Sequence, residues 1–132
     1  MFKTWKKICL SISIIIILTF SANNVFAFSH SWIKVPPSDF GYQVWDKNSL
    51  SRNPDGSLRV LSKFVPIAKN EITKEIFYTM DIDCIEKSFK DIAVGSNELN
   101  QKENIDINWQ NPNGDKLIIG VINQVCNRNE YS

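Results

Sequence analysis

From Glu75 to Cys84 the apolar and polar positions alternate: Ile76, Tyr78, Met80, Ile82 and Cys84 fall at every second residue, with Phe77, Thr79, Asp81 and Asp83 between them. That period of two belongs to a strand with one buried face. A second alternation, Phe40, Tyr42 and Val44 against Gly41, Gln43 and Trp45, predicts a strand over Phe40 to Asp46. Before it, Phe28 to Val35 reads as a first strand that Pro36-Pro37 stops early. Asn53-Pro54-Asp55-Gly56 has the residues of a turn, so Ser49 to Arg52 and Ser57 to Val65 are expected to pair as a hairpin that Pro66 ends. Beyond Cys84, the run IEKSFKDIAV reads as a strand on its β-branched and aromatic residues, closed by Gly95-Ser96-Asn97. Glu98 to Asn104 is hydrophilic and expected to be a mobile connection, and Ile105, Ile107 and Trp109 alternate into one more short strand.

The period then changes. After the turn residues Asn111-Pro112-Asn113-Gly114, Asp115 is placed to cap a helix whose Leu117, Ile118, Val121, Ile122 and Val125 form one apolar stripe. Gly120 lowers helix propensity by roughly 1 kcal/mol relative to alanine, which packing must offset. The predicted class is α+β: an antiparallel sheet of five to six strands packed by a C-terminal α-helix.

The N-terminus changes how the rest is read. Lys3, Lys6 and Lys7 precede an apolar run from Ile8 to Phe20, and Val25-Phe26-Ala27 provides a cleavage pattern, so 1–27 is expected to be a signal peptide and 28–132 a single domain. The run is shorter than the roughly 20 residues a spanning helix needs. Cys9 lies at the front of the run and not behind it, so neither an integral nor a lipid anchor is expected. Of 15 basic side chains three leave with the leader, so 12 remain against 14 acidic ones, a balance that argues against a nucleic-acid partner. The two remaining cysteines, Cys84 and Cys126, are an even count in an exported chain, and pairing is the default. A small sheet also leaves an edge strand open, which offers a route to a homodimer.

Reactive constellations are scarce. Asp81 and Asp83 project from one strand face and are the carboxylates closest to a hard-cation or hydrolase site, but a cation needs more oxygens and acid–base catalysis needs carboxylates in different environments. Asp55 and Asp115 are explained by turn and capping chemistry. His30, the one imidazole, has no histidine or mature thiol beside it in sequence, which supports neither a metal cluster nor a histidine triad. No catalytic residue, metal or cofactor is assigned. Lys87, Phe89 and Lys90 form a basic and aromatic cluster that a protein partner could use, set against the plainer reading of Phe89 as core and the lysines as an ordinary wet face. Trp32, Trp45 and Trp109 read as core or edge-covering side chains.

Ser31-Trp32-Ile33-Lys34, Tyr42-Gln43-Val44-Trp45-Asp46, Leu58-Arg59-Val60, Ile82-Asp83-Cys84 with Lys87 and Lys90, and Asn108-Trp109 leading to Leu117 and Val125-Cys126 together resemble the surface-adhesin protein E family. The likeness spans nearly all of 28–132. It implies an antiparallel sheet with a C-terminal helix tied by a Cys84–Cys126 bond, in an exported protein of a Gram-negative bacterium. It also implies a non-catalytic binding module for extracellular-matrix or serum proteins. The alternative is a periplasmic structural or accessory protein with a bacterial partner. The periplasm is the first expectation for location, with the cell surface or the medium second.

Overall fold

The computed structural model describes residues 28–67, 74–104 and 107–128. The leader expected over 1–27 lies outside them. Among the described residues, seven strands form one antiparallel sheet: β1 (Trp32–Lys34), β2 (Gly41–Asp46), β3 (Ser51–Arg52), β4 (Leu58–Pro66), β5 (Ile76–Asp83), β6 (Ser88–Gly95) and β7 (Gln101–Glu103). One helix, α1 (Lys116–Cys126), follows. The sheet order is β1-β2-β4-β5-β6-β7, and β3 shares the β2 side of β4. Trp45 pairs with Ser62 near one half of β4 and Ser51 with Arg59 near the other, so β2 and β3 are one path interrupted by a 3-10 turn at Lys47–Ser49.

The alternation decides which face meets the helix. Trp45, Leu58, Val60, Met80 and Ile82 are buried, and with Val35 and Phe89 they receive Leu117, Val121, Ile122 and Val125 of α1. Asp115 caps that helix as expected, its Oδ1 accepting from the Leu117 and Ile118 amides at 3.0 and 3.2 Å. Gly120 also has a packing reason. A Cβ there would stand 3.0 Å from Val35 Cβ, so the glycine lets the helix lie against the chain that leads into β2. Cys84 at the end of β5 is bonded to Cys126 in the last turn of α1.

Three expectations change. Gln101–Glu103 is the edge strand β7, not a mobile connection: Ala93 pairs with Glu103 and Gly95 with Gln101, and Thr79 Oγ1 donates to Gln101 Oε1 at 2.6 Å. Residues 107–109 form no strand, 105 and 106 lie outside the described residues, and the pairing falls instead on Phe89 and Gln110, whose amides and carbonyls exchange bonds of 3.0 and 2.8 Å. The run after Cys84 first makes a turn over 84–87 before β6 begins. Backbone pairing at an edge needs no apolar period, so none of these differences was visible in the hydrophobic pattern.

Candidate functional site

The helix and the sheet leave distinct features at the two ends of α1. At its C-terminal end, the disulfide, the 84–87 turn and the segment before Gln110 converge. Asp83 Oδ1 accepts from the amides of Ile85 and Glu86 at 2.9 and 3.1 Å and so shapes the turn. Ile85 stands 90% exposed at its tip, and Lys87 adopts the left-handed backbone with φ of 54°. Lys90 Nζ sits 4.2 Å from the centroid of the Trp109 ring, a cation–π contact on a ring that is itself 39% exposed. Ile85 and Trp109 line one depression beside the disulfide with Arg52, Arg128, Asp55 and Asp83.

The sequence cluster of Lys87, Phe89 and Lys90 is therefore divided. Phe89 is buried in the core, while Lys87 is exposed in the 84–87 turn and Lys90, half-buried, stacks on Trp109. The run that begins at Ile85 reads as a strand, so its sequence does not place Ile85 at an exposed turn tip. The Trp109 position depended on the unforeseen Phe89–Gln110 bridge.

The expectation that Asp81 and Asp83 share a solvated face is corrected. Asp81 is 5% exposed, and Arg59 grips both of its oxygens, Nε to Oδ1 at 2.7 Å and a terminal nitrogen to Oδ2 at 2.9 Å. With Asp83 engaged by the turn amides, the pair offers neither an open ligand set nor an acid and base in contrasting environments.

His30 does acquire partners, which its isolation in sequence concealed. Its Nδ1 lies 2.8 Å from Asp46 Oδ2 and its Nε2 3.0 Å from Glu98 Oε2, so the ring joins β2 to the loop between β6 and β7. Asp46 is fully buried and also accepts from the amides of Ser31 and Asn48. The Asp46 hydrogen bond raises the His30 pKa against a smaller opposing effect of burial, and the Glu98 charge adds to the rise. With a carboxylate on each ring nitrogen, the imidazole is a strut and has no nitrogen left to serve as a base.

At the N-terminal end of α1, a cavity of about 830 Å³ lies between the helix and the sheet. Phe40, Phe64, Tyr78 and Phe89 contribute aromatic wall, and Asp91 of β6 faces it. Burial raises the Asp91 pKa, and its Oδ1 is buried with no hydrogen-bond partner among the described residues. Burial, then the charges of Asp91 and Asp115, raise that of Tyr78. Asp91 falls on the helix side by simple alternation, two residues beyond the core Phe89 and paired with the core Met80; the register shift between Thr79 and Met80 skips residue 92 and changes the facing only of the residues after it.

The model of the surface adhesin-E family matches residues 33–132, the whole sheet after Trp32 together with α1. The chain belongs to the surface adhesin-E family. Neither a curated protein nor a solved structure matches it. Membership supports an adhesin-like, non-enzymatic module that acts by binding, at an exported or surface location. Among the described residues no helix is long and apolar enough to cross a membrane.

Proposed function

We propose that the protein is an exported, non-catalytic module that recognises an extracellular-matrix or serum protein through the disulfide end of its sheet. Ile85 carries the reading: an isoleucine 90% exposed at a turn tip, in the same turn as Lys87 and beside the Lys90–Trp109 stack. Aromatic side chains and arginine are enriched at protein interfaces, and Trp109, Arg52 and Arg128 line the same depression as Ile85. The disulfide holds the turn that bears Ile85 against the helix, so the surface is ordered before a partner arrives and loses little freedom on binding. Lys87 and Lys90 would meet acidic side chains and guide encounter, which makes binding sensitive to salt. In this reading the leader at 1–27 delivers a mature domain that starts at Phe28.

The test is a binding assay of the mature protein against a panel of purified matrix and serum proteins. Saturable binding that weakens at least tenfold in Lys87→Ala/Lys90→Ala, and likewise in Ile85→Ser, supports both the function and its surface. Binding unaffected by these changes moves the surface elsewhere. Failure against the whole panel, with a bacterial partner recovered from the periplasm, would establish an accessory role instead.

A further inference from the structure

We propose that the cavity between the N-terminal end of α1 and the sheet binds a small organic cation, an ammonium or guanidinium group on an apolar stem, with Asp91 as its counter-ion. The site is separate from the disulfide end, since the rise of an eleven-residue helix puts the two ends of α1 about 15 Å apart. At about 830 Å³ the cavity has room for a small ligand and its stem.

Asp91 decides the sign of the ligand. A buried carboxyl oxygen without a partner is costly, and native structures keep few of them. The polar neighbours do not relieve it. Gln43 Nε2 donates to Ser62 Oγ at 2.8 Å and makes no bond to Asp91 Oδ1, and Asp115 Oδ1 is committed to the helix amides. Those same amides are thereby closed to an anion, although a helix N-terminus would otherwise attract one. Asp39, Asp91 and Asp115 line the cavity against Lys116, so an anion would meet a surplus of carboxylates. A neutral apolar molecule would fill the volume and leave Asp91 uncompensated. A cation pairs with the carboxylate, and the Phe64 and Tyr78 rings that line the cavity are the cation–π partners available to it while its stem displaces water.

The probe is n-butylammonium, with N-butylguanidinium as a second cation and n-pentanol as the neutral counterpart of similar size, each titrated into isotopically labelled mature protein. Saturable amide shifts at Asp91, Tyr78 and Leu117 are expected with the cations, at least tenfold weaker with pentanol and in Asp91→Asn. The carboxyl carbon shift of Asp91 reads its own titration apart from Asp39, Tyr78, Asp115 and Lys116, and its midpoint should move to lower pH when n-butylammonium is present. This second readout uses the unaltered protein and does not depend on how the variant folds. Pentanol binding as well as the amine, Asp91→Asn retaining affinity within twofold, or a midpoint that the amine leaves in place would each overturn the proposal.

Discussion

Trp45 Nε1 donates to Gln124 Oε1 at 2.8 Å although the two residues are 79 apart in sequence. The indole is fully buried, and Gln124 Nε2 donates in turn to the Lys34 carbonyl, so one side chain of α1 holds both β1 and β2. Gln124→Leu keeps the size of the side chain but leaves the indole N–H without its partner. The expected cost is about 1–3 kcal/mol, the penalty of an unmade buried hydrogen bond. A urea midpoint equal to that of the parent protein would show that the contact contributes nothing.

The Cys84–Cys126 bond closes a separation of 42 residues. In the chain-entropy model such a loop contributes about 4 kcal/mol, a large part of the stability of a domain this small. Replacing both cysteines with alanine should lower the denaturation midpoint accordingly, and reductant should lower that of the parent but not of the variant. Equal midpoints for the oxidised parent and the double variant would contradict it.

The His30 strut makes stability depend on pH. The folded state raises the His30 pKa above its ordinary 6.5, so the contribution is fully present below about 6.5 and is lost as pH rises through the raised value. For Asp46 burial pushes upward, but His30 and the amides of Ser31 and Asn48 outweigh it and lower the pKa below 3.8. That second contribution is present above 3.8 and fades as pH falls through the lowered value. Denaturation midpoints measured from about pH 5.5 to about pH 8.5 should therefore decline on the alkaline side, with His30→Gln flattening the decline. An equal slope in the variant would assign the pH dependence to other groups.

Lys87 holds a left-handed backbone with φ of 54°, which costs an L-residue about 1–2 kcal/mol. Glycine removes the steric cost but adds freedom to the unfolded chain, so Lys87→Gly should stabilise the domain by about 0.5–1 kcal/mol. The same change should weaken binding to a partner that reads the lysine. Thermal melts and the binding assay separate the two effects, and a destabilised Lys87→Gly would mean that the turn is relaxed by contacts of the lysine itself.

Gly41 is the clearest steric test in the sheet. A Cβ there would strike the Val65 carbonyl oxygen and lie 2.7 Å from the Phe64 ring, where β2 begins beside the end of β4. Gly41→Ala should therefore destabilise by about 1–3 kcal/mol, the usual cost of overpacking. It should also disturb the cavity that Phe40 and Phe64 line, visible as amide shifts at Asp91. A variant as stable as the parent, with those shifts unchanged, would contradict the close approach.

The sequence alone determined the frame. Ile76, Tyr78, Met80 and Ile82 had to face one way because successive side chains of a strand alternate, and Leu117, Val121, Ile122 and Val125 had to share a stripe because a helix turns every 3.6 residues. Two cysteines in a chain read as exported were enough to expect the bond between those elements. Tertiary structure decided whatever depends on register and on contacts across the chain. The seating of the N-terminal end of α1 over the sheet enclosed Asp91, the Phe89–Gln110 bridge brought Trp109 to Lys90, and the fold of the β6–β7 loop carried Glu98 to His30. Local periodicity reports which face a residue occupies. It holds no record of which distant polar group completes a hydrogen bond there, or of the carboxyl left without one.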